Sequence, residues 1–399
     1  MGSVDSAVNL TKDRLEQGIF DWDVSKGDLD DITGALNGLS PQERNEFVSK
    51  LSDDDIKNWT QEIDGLSGSL SASERADVFN KLAEGMDATQ MARFVKAFDG
   101  SPGGRSALAD AVASHGSVEA KTGFIEASKG SIDGEYSATE GNWGNAETAA
   151  IGTVLASLEG DPAAFEQAVG SLSQDQLQDV MAVAMGRRYI ADFSGMTAGT
   201  TSYDPSALTG ILKAAEGTDL ATRSAVFEAA MPQLKTMQGD NVGMFGAESF
   251  VDGVAQAMGQ VMTRDEATAA GLVDTPAAPP GVSMDDNIAQ AQQHGFPQDL
   301  PWFYDQVKGG AEWDFKQQGA QYENFGNFHY GVVAAAMGIP EDVALRAAGY
   351  AQGQAGTSKD EWGNPYDLGG SYGDDPNDQQ QIKEGYDYYN SGMYRVWSD

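Results

Sequence analysis

No cysteine occurs anywhere in this chain, and only three histidines, His115, His294 and His329, which excludes disulfides, thiol nucleophiles and Cys-ligated zinc. None of the three histidines stands at metal-ligand spacing from another, so a His-based zinc site is not expected either. Basic residues are scarce: 25 Lys and Arg against 61 Asp and Glu leave a formal net charge of -36. Such a molecule repels phosphate backbones, so nucleic acid is a disfavoured partner. From Asp285 onward 18 acidic residues face six basic ones, so the C-terminal region also lacks a basic stripe. No run approaches the eighteen apolar residues of a membrane helix, and the N-terminus has no basic segment followed by an apolar one. Export, if it occurs, is expected to use a route without a cleaved signal peptide.

What remains is ordinary globular material: 40% hydrophobic residues and 9% aromatics. At 399 residues the chain exceeds the usual single core, so at least two domains are expected. The first hundred residues repeat: Leu39-Ser40, Glu43-Arg44, Val48 and Lys50-Leu51 recur 31 residues later as Leu70-Ser71, Glu74-Arg75, Phe79 and Lys81-Leu82. Ser-x-x-Glu is a capping-box helix start, so residues 1–105 read as a module of stacked helices. Helical spacing continues over 106–270, as in Leu172, Leu177, Val180, Met181, Val183 and Met185, with Asp161-Pro162 and Asp204-Pro205 as helix starts. Asp133-Gly134 and Gly195 to Gly199 punctuate it as turns or loops. The Pro/Ala-rich 275–281 lies in an expected linker, 271–284, ahead of a small, mostly α-helical domain, 285–399. The fold class expected is mainly α, a helical-repeat array followed by that domain.

Candidate chemistry collects in 285–399. In Trp313-Asp314-Phe315-Lys316 strand-like alternation would bury the two aromatics and set Asp314 beside Lys316, as a base or nucleophile or as a plain salt bridge. In the segment from Tyr322 to Gly331, Gly326 and Gly331 suggest a sharp turn, Asn327 could orient substrate, and Glu323 could serve as a general acid if buried. The bland alternative is an Asn-Gly turn with a solvated glutamate. His329 reads better as a structural histidine among aromatics than as an acid-base residue. Asp374, Asp375 and Asp378 could bind Ca²⁺ or Mg²⁺ through oxygen, but Asp375-Pro376 also fits a helix N-cap. Aromatics crowd the stretch, and Trp313, Tyr322, Phe325, Tyr330 and Tyr372 would suit either a compact core or a sugar-stacking groove. No nucleotide loop or serine-hydrolase elbow is present, and no cofactor is required.

Trp302-Phe303-Tyr304, Gly309-Gly310, Trp313-Asp314-Phe315-Lys316, Phe325-Gly326-Asn327-Phe328, Tyr330-Gly331, Gly338-Ile339-Pro340, Ala348-Gly349 and Tyr372-Gly373-Asp374-Asp375-Pro376 follow in order. That series resembles the bacterial polymorphic toxin type 44 domain over about 301–389. The resemblance implies a C-terminal toxin in a modular antibacterial effector with a cognate immunity protein, and carries over Asp314, Lys316, Asn327, Tyr330, Asp374, Asp375 and Asp378. The helical region before it is similar to leading modules of secreted effectors in Gram-negative bacteria, which implies trafficking or loading by secretion machinery. Carboxylates, aromatics and acidity favour hydrolysis of the peptidoglycan glycan strand, in the target periplasm, by Asp314 with Asp374 or Glu323 and with Lys316 and Asn327 assisting; the alternative is a nuclease, with or without metal.

Overall fold

Serine caps start many of the helices in the first part of the chain. Ser40 and Ser71 each accept a hydrogen bond from the backbone N–H three residues on, while the Glu43 and Glu74 carboxylates accept one from the backbone N–H of the cap serine, completing a capping box in both repeats. The computed structural model describes residues 3–16, 24–63, 70–137, 142–143, 145–190, 200–240 and 248–398. The chain divides into two compact units, Met1–Gln233 and Leu234–Asp399, and residues 271–284 lie inside the second.

The first unit begins with eight helices: α1 (Ser3–Leu15), α2 (Lys26–Asn37), α3 (Pro41–Lys50), α4 (Asp53–Ile63), α5 (Ala72–Gly85), α6 (Ala88–Ala97), α7 (Pro102–His115) and α8 (Val118–Ser128). From α3 onward each packs against the helix two places further along, α3 on α5, α4 on α6, α5 on α7 and α6 on α8. Their apolar faces meet in a buried core, where Trp59 stands edge-on to Phe47 and Phe94 at 5.9 and 6.4 Å. The unit continues with α9 (Ala146–Ala156), α10 (Pro162–Gly170), α11 (Gln174–Ala184) and α12 (Ser206–Ala214), and α13 (Leu220–Asp240) runs across the division. Asp161 caps α10 ahead of Pro162 as expected, whereas Asp204 holds Ser206 and Pro205 is itself the cap of α12.

A small antiparallel sheet adds what the sequence pattern did not announce: β1 (Tyr136–Ser137), β2 (Asn142–Trp143), β3 (Arg188–Ile190) and β4 (Thr200–Ser202), in the order β1-β2-β3-β4. Arg188 pairs with Asn142 on one side and Ser202 on the other. Strands of two or three residues are too short to leave an alternating pattern. Asp133-Gly134 lie in a loop that bends at Glu135, with Asp133 Oδ1 accepting from Glu135 N at 2.8 Å, while Gly195 to Gly199 lie outside the described residues.

The second unit holds α14 (Glu248–Val261), α15 (Arg264–Ala269), α16 (Met284–Ala291), α17 (Leu300–Val307), α18 (Glu323–Ala336), α19 (Glu341–Gln354) and α20 (Pro376–Asn390). Its centre is the crossing of α18 with α20. A Cβ on Gly331 would collide with the Ile382 carbonyl, and one on Gly385 with the Phe328 carbonyl, so glycine on both helices lets the backbones touch. Here the expectation of a turn between Gly326 and Gly331 is corrected: the segment is helical throughout, and Gly331 serves close packing rather than bending. Around the crossing Phe303, Trp313, Phe315, Phe325, Val333, Met337, Leu345 and Tyr386 form the core. Most of the aromatic crowding is therefore core.

Candidate active site

Asp374 reaches its place through a strained turn. Tyr372, two residues earlier, has φ of 54°, a left-handed value that a tyrosine seldom adopts. The turn is clamped. Gly349 of α19 packs against the Tyr372 carbonyl with no room for a side chain, and the Arg346 guanidinium lies 4.4 Å over the Tyr372 ring. Arg346 also donates to the carbonyls of Pro365 and Asp367 at 2.7 and 2.8 Å, and Ser358 Oγ donates to Gly373 O at 2.6 Å.

Delivered this way, the Asp374 side chain is 3% exposed. Burial pushes its carboxyl above the usual range, and the nearby Asp378 charge pushes the same way. Against this, Gln379 Nε2 donates to Asp374 Oδ2 at 2.7 Å, and the Lys316 charge also favours the ionised form. Gln379 is fixed by a second bond, to Leu345 O at 3.1 Å. The result is a buried acid held by a neutral amide.

Lys316 pairs with Asp378, Nζ to Oδ2 2.9 Å, and lies 3.9 Å from Glu323 Oε1. It does not pair with Asp314. The alternation expected at 313–316 is replaced by a tight 3-10 turn, Phe315–Gln318, which buries Trp313 and Phe315 but sends Lys316 toward α20. Asp314 instead accepts from Gly310 N at 2.7 Å, closing the loop before it.

Trp313, Asp314, Lys316, Asn327, Tyr330, Asp374 and Asp378 line one cleft of about 730 Å³. Asn327, on α18, is 7% exposed, and its Nδ2 makes no hydrogen bond with the described residues. Tyr330 donates to Ala344 O at 3.1 Å, and burial raises its hydroxyl well above the ordinary value, so it is a phenol in the wall.

The other expected residues lie elsewhere. Glu323 is exposed in the first turn of α18, so the burial that would make it a general acid is missing. Tyr322 is half-buried at the start of that helix, Phe325 is in the core 5.1 Å from Phe315, and Tyr372 is occupied by Arg346. Asp375 caps α20, accepting from Asn377 N at 2.9 Å. Among the described residues no three His, Cys, Asp or Glu side chains form a group able to hold a metal, so Asp374, Asp375 and Asp378 do not make the Ca²⁺ or Mg²⁺ cluster that their spacing suggested. Burial lowers His329 to about 3, leaving a neutral ring edge-on to Trp313 and Phe315 at 5.1 and 4.8 Å, with Nε2 2.9 Å from Asn287 Nδ2. It is structural.

Three residues were not singled out by sequence. Tyr304 and Tyr350 line the cleft while 63% and 53% exposed; Lys308 Nζ lies 5.6 Å over the Tyr304 ring, which leaves its opposite face and the Tyr350 ring as flat surfaces where sugars can stack. Gln379 orients Asp374. Tyr304 stood in the Trp302-Phe303-Tyr304 motif, but exposure alone separates it from the core rings. Chemically, the cleft offers a buried carboxyl that holds its proton more tightly than one in water, further carboxylates, and aromatic platforms.

No curated protein and no solved structure matches the chain. No described helix is long and apolar enough to cross a membrane. The family described as bacterial toxin 44 matches residues 306–391, which hold every carboxylate of the cleft, so it is to that family that this part of the second unit is similar.

Proposed function

We propose that this toxin domain hydrolyses the glycan strand of peptidoglycan as a muramidase-like glycoside hydrolase. The observation that carries the reading is Asp374, a carboxyl raised by burial at the wall of a cleft whose mouth displays two exposed tyrosines. Asp374 acts as general acid, passing its proton to the glycosidic oxygen as the bond to the anomeric carbon breaks. Asp314 supplies the second carboxylate, either as nucleophile or as base for the attacking water, and the anomeric form of the new sugar end tells which. Lys316 acts indirectly, holding Asp378 at the cleft wall. The scheme uses no metal, so cleavage should persist in EDTA.

In this reading the protein is a secreted effector delivered to the target periplasm, its producer protected by a cognate immunity protein, with the first unit serving the secretion machinery. The acidic surface fits a neutral sugar polymer better than nucleic acid. The test expresses the full chain in bacterial cytosol and, separately, behind a periplasmic export signal. Lysis with the exported form, and muropeptides released from purified sacculi, are expected. Killing confined to the cytosolic form would sink the reading in favour of a nuclease.

A further inference from the structure

One arginine of the second unit keeps neutral company. Lys308, Lys316 and Arg395 each pair with a carboxylate, whereas Arg346 Nη1 donates to Pro365 O and Asp367 O at 2.7 and 2.8 Å while its guanidinium lies 4.4 Å over the Tyr372 ring. Its neighbours on α19 act on the same spot. Gly349 packs against the Tyr372 carbonyl, and Leu345 O fixes Gln379, which donates to Asp374 Oδ2. Leu345, Arg346 and Gly349, within little more than one turn of helix, thus hold both the chain leading into Asp374 and the amide that meets its side chain.

The link from Tyr372 to Asp374 is short and fully bonded. Gly373 N donates to Trp362 O at 2.8 Å, Ser358 Oγ donates to Gly373 O at 2.6 Å, and Asp374 N donates to Ser371 O at 2.9 Å. A shift of Tyr372 therefore reaches Asp374. The left-handed backbone of Tyr372 is a conformation that persists only where the surroundings impose it, and Arg346 supplies much of what surrounds it.

We propose that Arg346 is a positioning residue, which holds Tyr372 in its left-handed turn and so keeps the Asp374 carboxyl buried in the cleft wall. Its consequence for catalysis rests on the glycan-cleaving reading above. The charged groups facing Asp374 are Asp378 of α20 and Lys316 of the 3-10 turn, and Arg346 holds neither. Loss of Arg346 therefore acts through solvation: the turn relaxes, the carboxyl reaches water, and its pKa returns toward the ordinary, lower value.

Urea unfolding of the full chain at neutral pH supplies a readout that destabilisation alone does not move. Asp374→Asn should raise the midpoint in the parent, because it removes a buried carboxylate, and should raise it less than about half as much in the Arg346→Met background. A merely structural Arg346 lowers both midpoints together and leaves their difference intact. An equal rise in both backgrounds, or no rise in the parent, overturns the proposal. Gly349→Ala, which pushes on the Tyr372 carbonyl directly, should shrink the rise in the same way and carries the test if Arg346→Met does not fold.

With sacculi as substrate, Arg346→Met should lower kcat about tenfold or more while KM stays within about twofold of the parent. The limb on which activity falls as pH rises should also move to lower pH, since a general acid of lower pKa loses its proton sooner. Arg346→Lys, which keeps the charge without the planar fork, should behave like Arg346→Met. A parent-like kcat and pH limb in either variant overturns the proposal. Sacculi left intact by the unsubstituted protein would instead remove the glycan reading, and the urea comparison then decides on Arg346 by itself.

Discussion

The two units treat their carboxylates in opposite ways. In the first, Glu43 and Glu74 sit exposed at helix starts, and serine hydroxyls, cap N–H groups and, for Glu74, Lys26 lower both to about 2. The one buried arginine described there, Arg44, has a charged partner, Glu84, at 2.8 Å. In the second unit Asp374 is more deeply buried than Arg44, but its closest side-chain partner is the neutral Gln379, and its carboxyl is raised. A buried acid without a cation costs stability that a capped or paired carboxylate does not. The first unit uses its charges to finish helices, and the second buries one against a neutral amide.

The sharpest way to break that contrast is Asp374→Asn. Release of muropeptides from sacculi should fall by about 10²- to 10⁴-fold, the usual contribution of a general acid, while the urea midpoint near neutral pH rises. A raised carboxyl makes the native state lose stability as pH climbs through its folded pKa, so the stabilisation should vanish in acid. Unchanged activity would return Asp374 to a merely structural residue.

Packing gives the next largest effect. Gly331→Ala or Gly385→Ala forces α18 and α20 apart, and should cost about 1–3 kcal/mol in denaturant unfolding, with activity lost in proportion to folded protein. If either variant is as stable as the parent, the crossing is looser than it stands here.

At the cleft mouth, Tyr304→Ala and Tyr350→Ala should each raise KM for sacculi by roughly three- to tenfold with kcat nearly unchanged, as expected for loss of a stacking face. A fall in kcat alone would show that these rings serve something other than binding.

The smallest effects belong to the first unit. Ser40→Ala and Ser71→Ala should each destabilise it by about 1 kcal/mol without altering cleavage rates. Because Glu43 and Glu74 are lowered, what they add is present above about pH 4.5 and is lost as pH falls toward about 2. Melting curves of Glu43→Gln and Glu74→Gln should therefore converge on the parent in acid and diverge from it above pH 5. Convergence at neutral pH instead would remove the caps from the comparison.

Much of the fold was legible because its signals are local. Ser40 with Glu43, Ser71 with Glu74, and Asp161 or Asp375 ahead of proline announce helix starts through chemistry that spans three or four residues. The same holds for the apolar face of α11, read from Leu177, Val180 and Met181. Where reasoning failed, the deciding partner was distant. Gly331 looks like a turn until Ile382 is brought against it, and Lys316 looks like the neighbour of Asp314 until α20 presents Asp378, 62 residues away.

The candidate site divides along the same line. Composition and motif order by themselves determined a mainly α chain, the absence of thiol chemistry, an acidic surface and a toxin domain near the C-terminus, since these depend on which residues are present and on short spacings. Only the tertiary structure decided which of those residues share a cleft. Burial raised the Asp374 carboxyl, while Glu323 was left in solvent, Phe325 was committed to the core and Tyr304 and Tyr350 were exposed at the mouth. A pKa and a hydrogen-bond vacancy are set by what surrounds a group in space, and that surrounding is assembled from helices that the sequence keeps far apart.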